Sequence, residues 1–290
     1  MKLTRSEKVF DVCNIVFMCF FLAIILFPLF NIIVLSFNDG LDAIKGGVFL
    51  WPRKFTLKNY QTILKDTTVY RAFAVTAAKT LIGIAGHLFI TGIAGYAMSK
   101  PYLIGRGMFI KMGIITMYFS GGMIPTFLLI KALGLTNTFW VYIVPTLFSF
   151  YDMIILMNFF RNIPISMEES AEIDGANFFQ VFLKIIFPLS MPVFATIALF
   201  HGVYQWNDFF TAKLYVTDKE LFPIQYYLYQ VLTSQAAAST AKAGVYVAKE
   251  FTTKSIQLAT MVVTTLPIIL IYPFLQKYFI SGMLVGGVKE

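Results

Sequence analysis

Six stretches of about 20 mostly apolar residues constrain the fold of this chain more than any other feature of its sequence. A hydrocarbon core of ~30 Å is crossed by about 20 apolar residues in an α-helix. We therefore predict an all-α membrane protein with six transmembrane helices. The expected spans are residues 15–37, 71–98, 108–130, 139–160, 188–210 and 258–280.

The composition excludes several other classes of protein. Hydrophobic residues make up 58% of the 290 residues and charged residues only 13%, whereas a soluble domain carries roughly 25% charged residues. The abundance of aromatic residues argues against disorder. Cys13 and Cys19 fall in one apolar run, which excludes a disulfide framework. The net charge of +8 comes from scattered cations, so a nucleic-acid-binding protein is not expected.

The first span follows three cations, Lys2, Arg5 and Lys8. Its apolar run is too long for a signal peptide and no small-residue cleavage site follows it, so we expect a retained span after an N-terminal segment of residues 1–14. Cytoplasmic loops normally carry the excess of Lys and Arg. With both termini inside, ten cations lie on the inner side and twelve on the outer side. Charge alone therefore does not set the orientation.

The connection at residues 161–187 differs from an ordinary loop. Ser166 and Glu169 form a capping-box pattern that predicts a helix starting at Met167. Asp174 and Gly175 predict its end, and Asn177 with Gln180 predicts the start of a second helix. Four of the fifteen acids crowd the first helix. The pair of helices is either an interfacial connector or a rigid knob that docks on a soluble partner.

The order of residues in this segment, E169-S-A-E-I-D174-G175-A176 followed by Pro188, resembles the EAA loop of ABC-importer permeases. The stretches G134-L-T-N137-T-F-W140, F159-F160-R161-N162-I-P164 and G286-G287-V-K289 resemble signatures of the carbohydrate-uptake branch related to maltose permeases. The set is similar to the Gram-positive subgroup that imports complex oligosaccharides. The resemblance covers nearly the whole chain, with Ser170 in place of the first Ala of the motif.

This resemblance implies the type I ABC-importer permease fold, with residues 161–187 as the coupling loop and both termini in the cytoplasm of a multi-pass plasma-membrane protein. It implies four kinds of partner: a second homologous permease, two ATP-hydrolysing subunits, an extracellular solute-binding protein and an oligosaccharide substrate. ATP and Mg would be bound by the ATPase subunits and no cofactor by this chain. The residues implied in ATPase docking are Glu169, Ala171, Asp174, Gly175, Ala176 and Phe178.

The terminal segment 281–290 is a second candidate contact with the ATPase. By the resemblance, Gly286, Gly287 and Lys289 enter the ATPase dimer, and the alternative is a polar end without a partner. The loop 211–257 holds a stretch, residues 223–232, that favours an amphipathic helix. It would contact the solute-binding protein or act as a simple lid.

The transport path needs hydrogen-bonding groups for sugar hydroxyls and aromatic platforms for sugar faces. Asp208 lies at the end of the fifth span, where an acid at membrane depth indicates a functional position and an acid at the outer boundary does not. The candidate path residues are Tyr204, Trp206, Asn207, Asp208, Tyr118 and Asn158. The segment 120–122 before Pro125 would allow close helix packing, or less readily a break in the third span.

The sequence lacks a nucleotide-binding G-x-x-x-x-G-K-[ST] loop and the common metalloprotease and hydrolase motifs. An enzyme is therefore not expected. His87 and His201 lie singly in separate spans, where we expect helix–helix hydrogen bonds and no metal site. A permease for another polar solute is the first alternative function. An ion-coupled secondary transporter is the second, and it would need paired intramembrane carboxylates or an internal repeat.

Overall fold

The structure, a computed structural model, describes residues 4–43, 45–238, 255–271 and 273. Within these ranges the chain is helical and contains no strand, only a β-bridge between Asn38 and Phe55. The predicted all-α class is confirmed. The chain divides into two compact units, one of residues 1–69 with 228–266 and one of residues 70–227 with 267–290.

The helices follow one another with short connections. Five lie before the break in the third predicted span: α1 (Arg5–Ser36), α2 (Gly40–Ala43), α3 (Lys58–Lys65), α4 (Thr67–Ser99) and α5 (Arg106–Tyr118). Next come α6 (Met123–Ala132), a 3₁₀ segment (Phe139–Thr146), α7 (Phe150–Phe160), α8 (Ser166–Ile173) and α9 (Phe178–Leu189). The last four are α10 (Met191–Asn207), α11 (Phe210–Tyr215), α12 (Ile224–Ala238) and α13 (Ser255–Ile271).

Two helices of the described chain, α1 and α4, are long and apolar enough to cross a membrane without interruption. Three bent pairs bring the number to five when each pair counts as one span: α5 with α6 at 115°, the 3₁₀ segment with α7 at 48°, and α9 with α10 at 83°. The shorter apolar helix α13 lies in the sixth predicted span. The rest of that span, through residue 280, and the segment 281–290 lie outside the described residues.

The third predicted span is not one helix, so the preference for close packing at residues 120–122 is wrong. Gly122 has φ +85°, a left-handed conformation that a helix does not admit. The chain therefore ends α5 at Tyr118 and starts α6 at Met123. Pro125 is accommodated in the first turn of α6, where its missing N–H breaks no helical bond.

The other boundaries also differ from those predicted. Helix α1 begins at Arg5 rather than residue 15, because Thr4 and Glu7 form a capping box. The fourth span starts with 3₁₀ turns, and α7 begins only after Ser149, whose hydroxyl accepts from the Asp152 amide at 3.2 Å. The fifth breaks at Ser190, between α9 and α10. The amphipathic stretch 223–232 is helical, as expected, within α12.

The first unit is built on α1. Only 6% of its most apolar window is buried within the chain, so its side chains are left for lipid or a partner subunit. Two amides fix the segment after it. Asn31 donates to the carbonyl oxygens of Val48 at 2.9 Å and Phe49 at 3.1 Å, and Asn59 of α3 donates to the Ser36 carbonyl at 2.8 Å.

The second unit has a core of buried aromatic and aliphatic side chains contributed by α4, α7, α9 and α10. Its members are Tyr96, Leu156, Phe160, Val181, Phe182, Ile186, Val193, Phe194 and Ile197. Phe160 contacts both Phe182 and Phe194 in this cluster, with ring centroids 6.5 Å and 5.9 Å apart. This packing joins the polar segment 161–187 to the membrane-spanning helices, because α9 belongs to both.

Candidate ATPase-docking site and transport path

Helix α8 is the polar helix predicted to couple this chain to a partner. It starts at Ser166, and its N-cap residue is Ile165, which makes no side-chain capping bond. The predicted Ser166 cap is therefore wrong. The reason is local: the carbonyl oxygens of Pro164 and Ile165 accept from the amides of Met167 and Glu168 at 3.2 Å and 3.0 Å, which leaves the hydroxyl no capping role.

The end of α8 follows the prediction closely. Gly175 has φ +86° and its amide donates to the Glu172 carbonyl at 3.0 Å, while the Ala176 amide donates to the Ala171 carbonyl at 2.9 Å. These two bonds form a Schellman motif, which satisfies the last carbonyls of the helix. The geometry requires a left-handed residue, and glycine adopts that conformation without steric cost.

The start of α9 is also as predicted. Asn177 accepts from the Gln180 amide at 2.9 Å, and Gln180 accepts from the Asn177 amide at 3.0 Å. This reciprocal capping box sits two residues after Gly175. The turn between α8 and α9 is therefore closed on both sides by hydrogen bonds and has little freedom to change shape.

Two adjacent acids of α8 have opposite environments. Glu168 is only 7% exposed: it accepts from the Tyr96 hydroxyl at 2.8 Å and forms an ion pair with Lys100. The Lys100 ammonium also lies 4.3 Å from the centroid of the Tyr96 ring. Glu169 is exposed. One acid thus fixes α8 to the end of α4, and its neighbour faces outward.

The predicted docking residues divide in the same way. Glu169, Asp174, Gly175 and Phe178 are exposed. Ala171 and Ala176 are half-buried and pack against the core of the second unit. Sequence reasoning missed the anchor formed by Glu168, Tyr96 and Lys100, although Tyr96 and Lys100 are spaced four residues apart at the end of an apolar span. The tail candidates Gly286, Gly287 and Lys289 lie outside the described residues.

A polar cleft of about 500 Å³ opens beside α8. It is lined by both signs of charge, with Lys100 and Arg161 facing Glu169 and Glu172. Tyr102 stands at its edge, where partial burial and then the negative charges of Glu172 and Glu168 raise the pKa of its phenol. The cleft can therefore accept hydrogen bonds and ion pairs from a partner at neutral pH.

Asp208, the acid predicted in the transport path, forms an ion pair with Lys79 of α4. The Lys79 Nζ lies 3.3 Å from Oδ2 of Asp208 and donates to its carbonyl oxygen at 3.0 Å. The Lys79 side chain is fully buried and the Asp208 side chain is 9% exposed. Tyr142 covers the ammonium, with its ring centroid 4.8 Å away. This carboxylate is thus neutralised within the helix bundle.

The other path candidates do not converge on one site in the described structure. Trp206 lines an apolar pocket with residues of α4, and Asn207 donates to the Val203 carbonyl at 2.9 Å. Asn158 and Tyr118 are exposed, Tyr118 at 80%. Tyr204 lines a cavity that also contains both histidines. The transport path therefore remains a prediction.

The two histidines, which lie singly in the sequence, stack on each other with ring centroids 4.0 Å apart and planes 8° apart. The expected helix–helix hydrogen bonds are confirmed for His87 of α4, which contacts the Thr146 carbonyl at 2.8 Å and Asp152 of α7 at 3.0 Å. The stacking partner, His201, lies on α10. No signal in the sequence connects these residues.

Comparison with known proteins assigns the chain to a family. Residues 2–285 match the family described as "Binding-protein-dependent transport system inner membrane component". Protein LplC of Bacillus subtilis is 42% identical over 99% of this chain and 97% of its own length. The polygalacturonan/rhamnogalacturonan transport system permease protein YtcP of the same organism is 39% identical over 98% of this chain and 99% of its own length.

A solved structure has the same fold. It is the crystal structure of a bacterial ABC transporter involved in the import of the acidic polysaccharide alginate, with a TM-score of 0.87 and 30% sequence identity, covering 96% of this chain and 99% of that one. The family match and the α8–α9 geometry lead to one conclusion. The chain belongs to the binding-protein-dependent inner-membrane transport components, the permease subunits of ABC transporters, and is a membrane transport subunit rather than an enzyme.

Proposed function

We propose that this chain is one of two permease subunits of an ATP-driven importer of a sugar or oligosaccharide. Two sugar-transport relatives support this cargo, YtcP and the arabinooligosaccharides transport system permease protein AraQ of Halalkalibacterium halodurans, which is 28% identical over 92% of each chain. The alginate importer agrees in fold. An extracellular binding protein delivers the sugar, and a second homologous permease completes the path.

The observation that carries the proposal is the two-sided arrangement of α8. Glu168 ties the helix to Tyr96 and Lys100 of the membrane-spanning bundle, and Glu169 is exposed for a soluble partner. A short helix that is closed at its end by the Gly175 motif moves as a rigid body. Closure of the ATPase dimer would therefore pull on α8 and, through Glu168, on the end of α4.

Docking of the ATPase at α8 also sets the orientation. The ATPase subunits lie in the cytoplasm, so the segment 161–187 and both termini would be cytoplasmic in a multi-pass plasma-membrane protein. ATP and Mg would bind to the ATPase subunits, since the sequence has no nucleotide-binding loop. This chain would supply α8, with Glu169 and Gly175 as its main docking residues, and the tail residues Gly286, Gly287 and Lys289 as a second contact.

The test is uptake by the complete complex. The tagged chain is purified with the subunits that accompany it and is reconstituted into proteoliposomes with its binding protein. We expect oligosaccharide uptake that requires ATP on the side of α8 and is unaffected by proton or sodium gradients. Uptake driven by an ion gradient without ATP would contradict the proposal and favour a secondary transporter. ATP-dependent uptake of another polar solute, with none of sugar, would contradict the cargo alone.

A further inference from the structure

A cavity of about 260 Å³ lies within the second unit, between α4, α7 and α10, and we call it the histidine cavity. Its lining consists of His87, Thr146, Phe148, Ser149, Asp152, Phe200, His201 and Tyr204. His87 and His201 stand in the middle turns of their helices, far from either end. A volume just below the range typical of pockets for drug-sized ligands suits a single sugar unit.

The hydrogen bonds of His87 define the charge of this cavity. A carbonyl oxygen only accepts, so Nδ1 of His87 donates to Thr146 at 2.8 Å. Nε2 faces a carboxylate oxygen of Asp152 at 3.0 Å, and that contact also needs one proton. The proton sits either on Nε2, which gives an imidazolium and a carboxylate, or on Asp152, which gives two neutral groups. In both states the pair has no net charge.

His201 is buried but has no good hydrogen-bond partner among the residues that the structure describes. Only 7% of it is exposed, and its one polar contact is 3.5 Å, from Nε2 to Nε2 of Gln205. That amide already donates to the Tyr142 carbonyl at 3.0 Å and the Thr146 hydroxyl at 2.8 Å, which uses both of its hydrogens. A buried polar group without a partner is costly. The ring nitrogens of His201 therefore call for a ligand or water in the cavity.

The rim of the cavity is aromatic. Phe148, Phe200 and Tyr204 are 46%, 48% and 56% exposed and line the same cavity as the polar groups. Flat apolar surfaces around a few polar groups are the usual construction of a small-molecule site. A pyranose fits this arrangement, because its C–H faces pack on aromatic rings while its hydroxyls reach histidine and carboxylate.

We propose that the histidine cavity binds one neutral, hydroxyl-rich sugar unit of the transported oligosaccharide and disfavours uronate units. Its described lining contains no Lys or Arg to pair with a substrate carboxylate. Protonation of His201 would place a second cation 4.0 Å from the ring of His87, which like-charge repulsion opposes. Burying an unpaired carboxylate here would be expensive. This inference rests on the proposed sugar-import function and adds a site and a cargo preference to it.

The test uses two probes that differ only at C6, α-1,4-linked galactotriose and trigalacturonate. Their binding to the complete complex in lipid nanodiscs is measured by saturation-transfer NMR, without the binding protein. We expect galactotriose to bind at least tenfold more tightly than trigalacturonate. His201→Phe, which keeps the stack but removes the ring nitrogens, should weaken galactotriose binding about tenfold. Tyr204→Phe serves as a second, milder variant at the exposed rim and should weaken it several-fold.

Tyr151→Phe is the matched control, since Tyr151 precedes Asp152 but is not part of the cavity lining, and it should bind galactotriose as the wild type does. Equal binding of the two probes, no binding of either, or wild-type affinity in both cavity variants would overturn the proposal. ATP-dependent oligosaccharide uptake by the same complex separates the site from the function. If uptake persists while the cavity predictions fail, the site is wrong and the sugar-import function stands.

Discussion

Tyr96 and Glu168 are 72 positions apart in the sequence, and the Tyr96 hydroxyl donates to the Glu168 carboxylate over 2.8 Å. This bond connects the last turn of a 33-residue membrane helix to an eight-residue polar helix. Lys100 adds an ion pair to the same carboxylate. The contact gives the predicted coupling element a fixed attachment to the part of the protein that must move during transport.

Tyr96→Phe removes the hydroxyl of this contact and keeps the aromatic packing. A hydrogen bond to a charged group contributes about 1.5–3 kcal/mol, so we expect the number of sugars transported per ATP to fall several-fold while ATPase subunits still co-purify. The measurement compares uptake with ATP hydrolysis in proteoliposomes. Tyr102→Phe, at an exposed phenol near the same helix end, should leave the ratio unchanged. An unchanged ratio in Tyr96→Phe would show that the anchor does not transmit motion.

Gly175→Ala places a side chain in a left-handed conformation at the end of α8. The cost is about 1–2 kcal/mol, enough to shift the α8–α9 turn and weaken ATPase co-purification. Gly134→Ala is a matched control, because Gly134 has φ +68° and, like Gly175, open space where a Cβ would lie. Both variants carry similar strain. Equal loss of the ATPase subunits in both would mean that general instability, and not docking geometry, explains the effect.

Lys79→Met leaves the Asp208 carboxylate buried without its cation. Removing one partner of a buried ion pair typically costs about 3–5 kcal/mol, so the midpoint of thermal unfolding in detergent should fall clearly. Lys79→Met/Asp208→Asn removes both charges and should recover most of the loss, since the carboxylate is what suffers. A double variant as unstable as the single one would contradict the ion-pair interpretation. It would return Asp208 to the list of open path residues.

Gly113→Ala tests the packing of α5 on α7. A Cβ at Gly113 would overlap the ring of Phe150, whereas one at Gly107 on the same helix would meet nothing within 4 Å. Overpacking of this kind costs about 1–3 kcal/mol. We expect Gly113→Ala to lower the unfolding midpoint and Gly107→Ala to leave it near the wild-type value. Indistinguishable midpoints would show that the two helices separate easily.

The sequence predicts well whatever is decided within a few residues. The Asn177–Gln180 capping box and the Gly175 turn both depend on short-range bonds, and both occur as expected. The Ser166 cap fails because backbone carbonyls of the two preceding residues bond to the amides at the start of the helix. The break at Gly122 is also local, but an apolar count cannot distinguish a glycine that allows packing from one that ends a helix.

Contacts between distant residues have no comparable signal. Lys79 meets Asp208 across 129 positions, and His87 meets Asp152 across 65. Each of these residues, read alone, is an isolated polar group in an apolar segment. Because the partner depends on how the helices pack, the sequence could name Asp208 as important but could not identify the cation that neutralises it.

The central claim is that Glu169 of α8 faces an ATP-hydrolysing partner, and cysteine labelling tests it most directly. Cys13 and Cys19 are replaced by serine, and Glu169→Cys is labelled with a membrane-impermeant maleimide in inside-out vesicles. Lys219→Cys, at an exposed position in the predicted outer loop, is the control in right-side-out vesicles. We predict that the ATPase subunits protect position 169 and do not affect position 219. Labelling of position 169 that is equally fast with and without the ATPase subunits would contradict this claim.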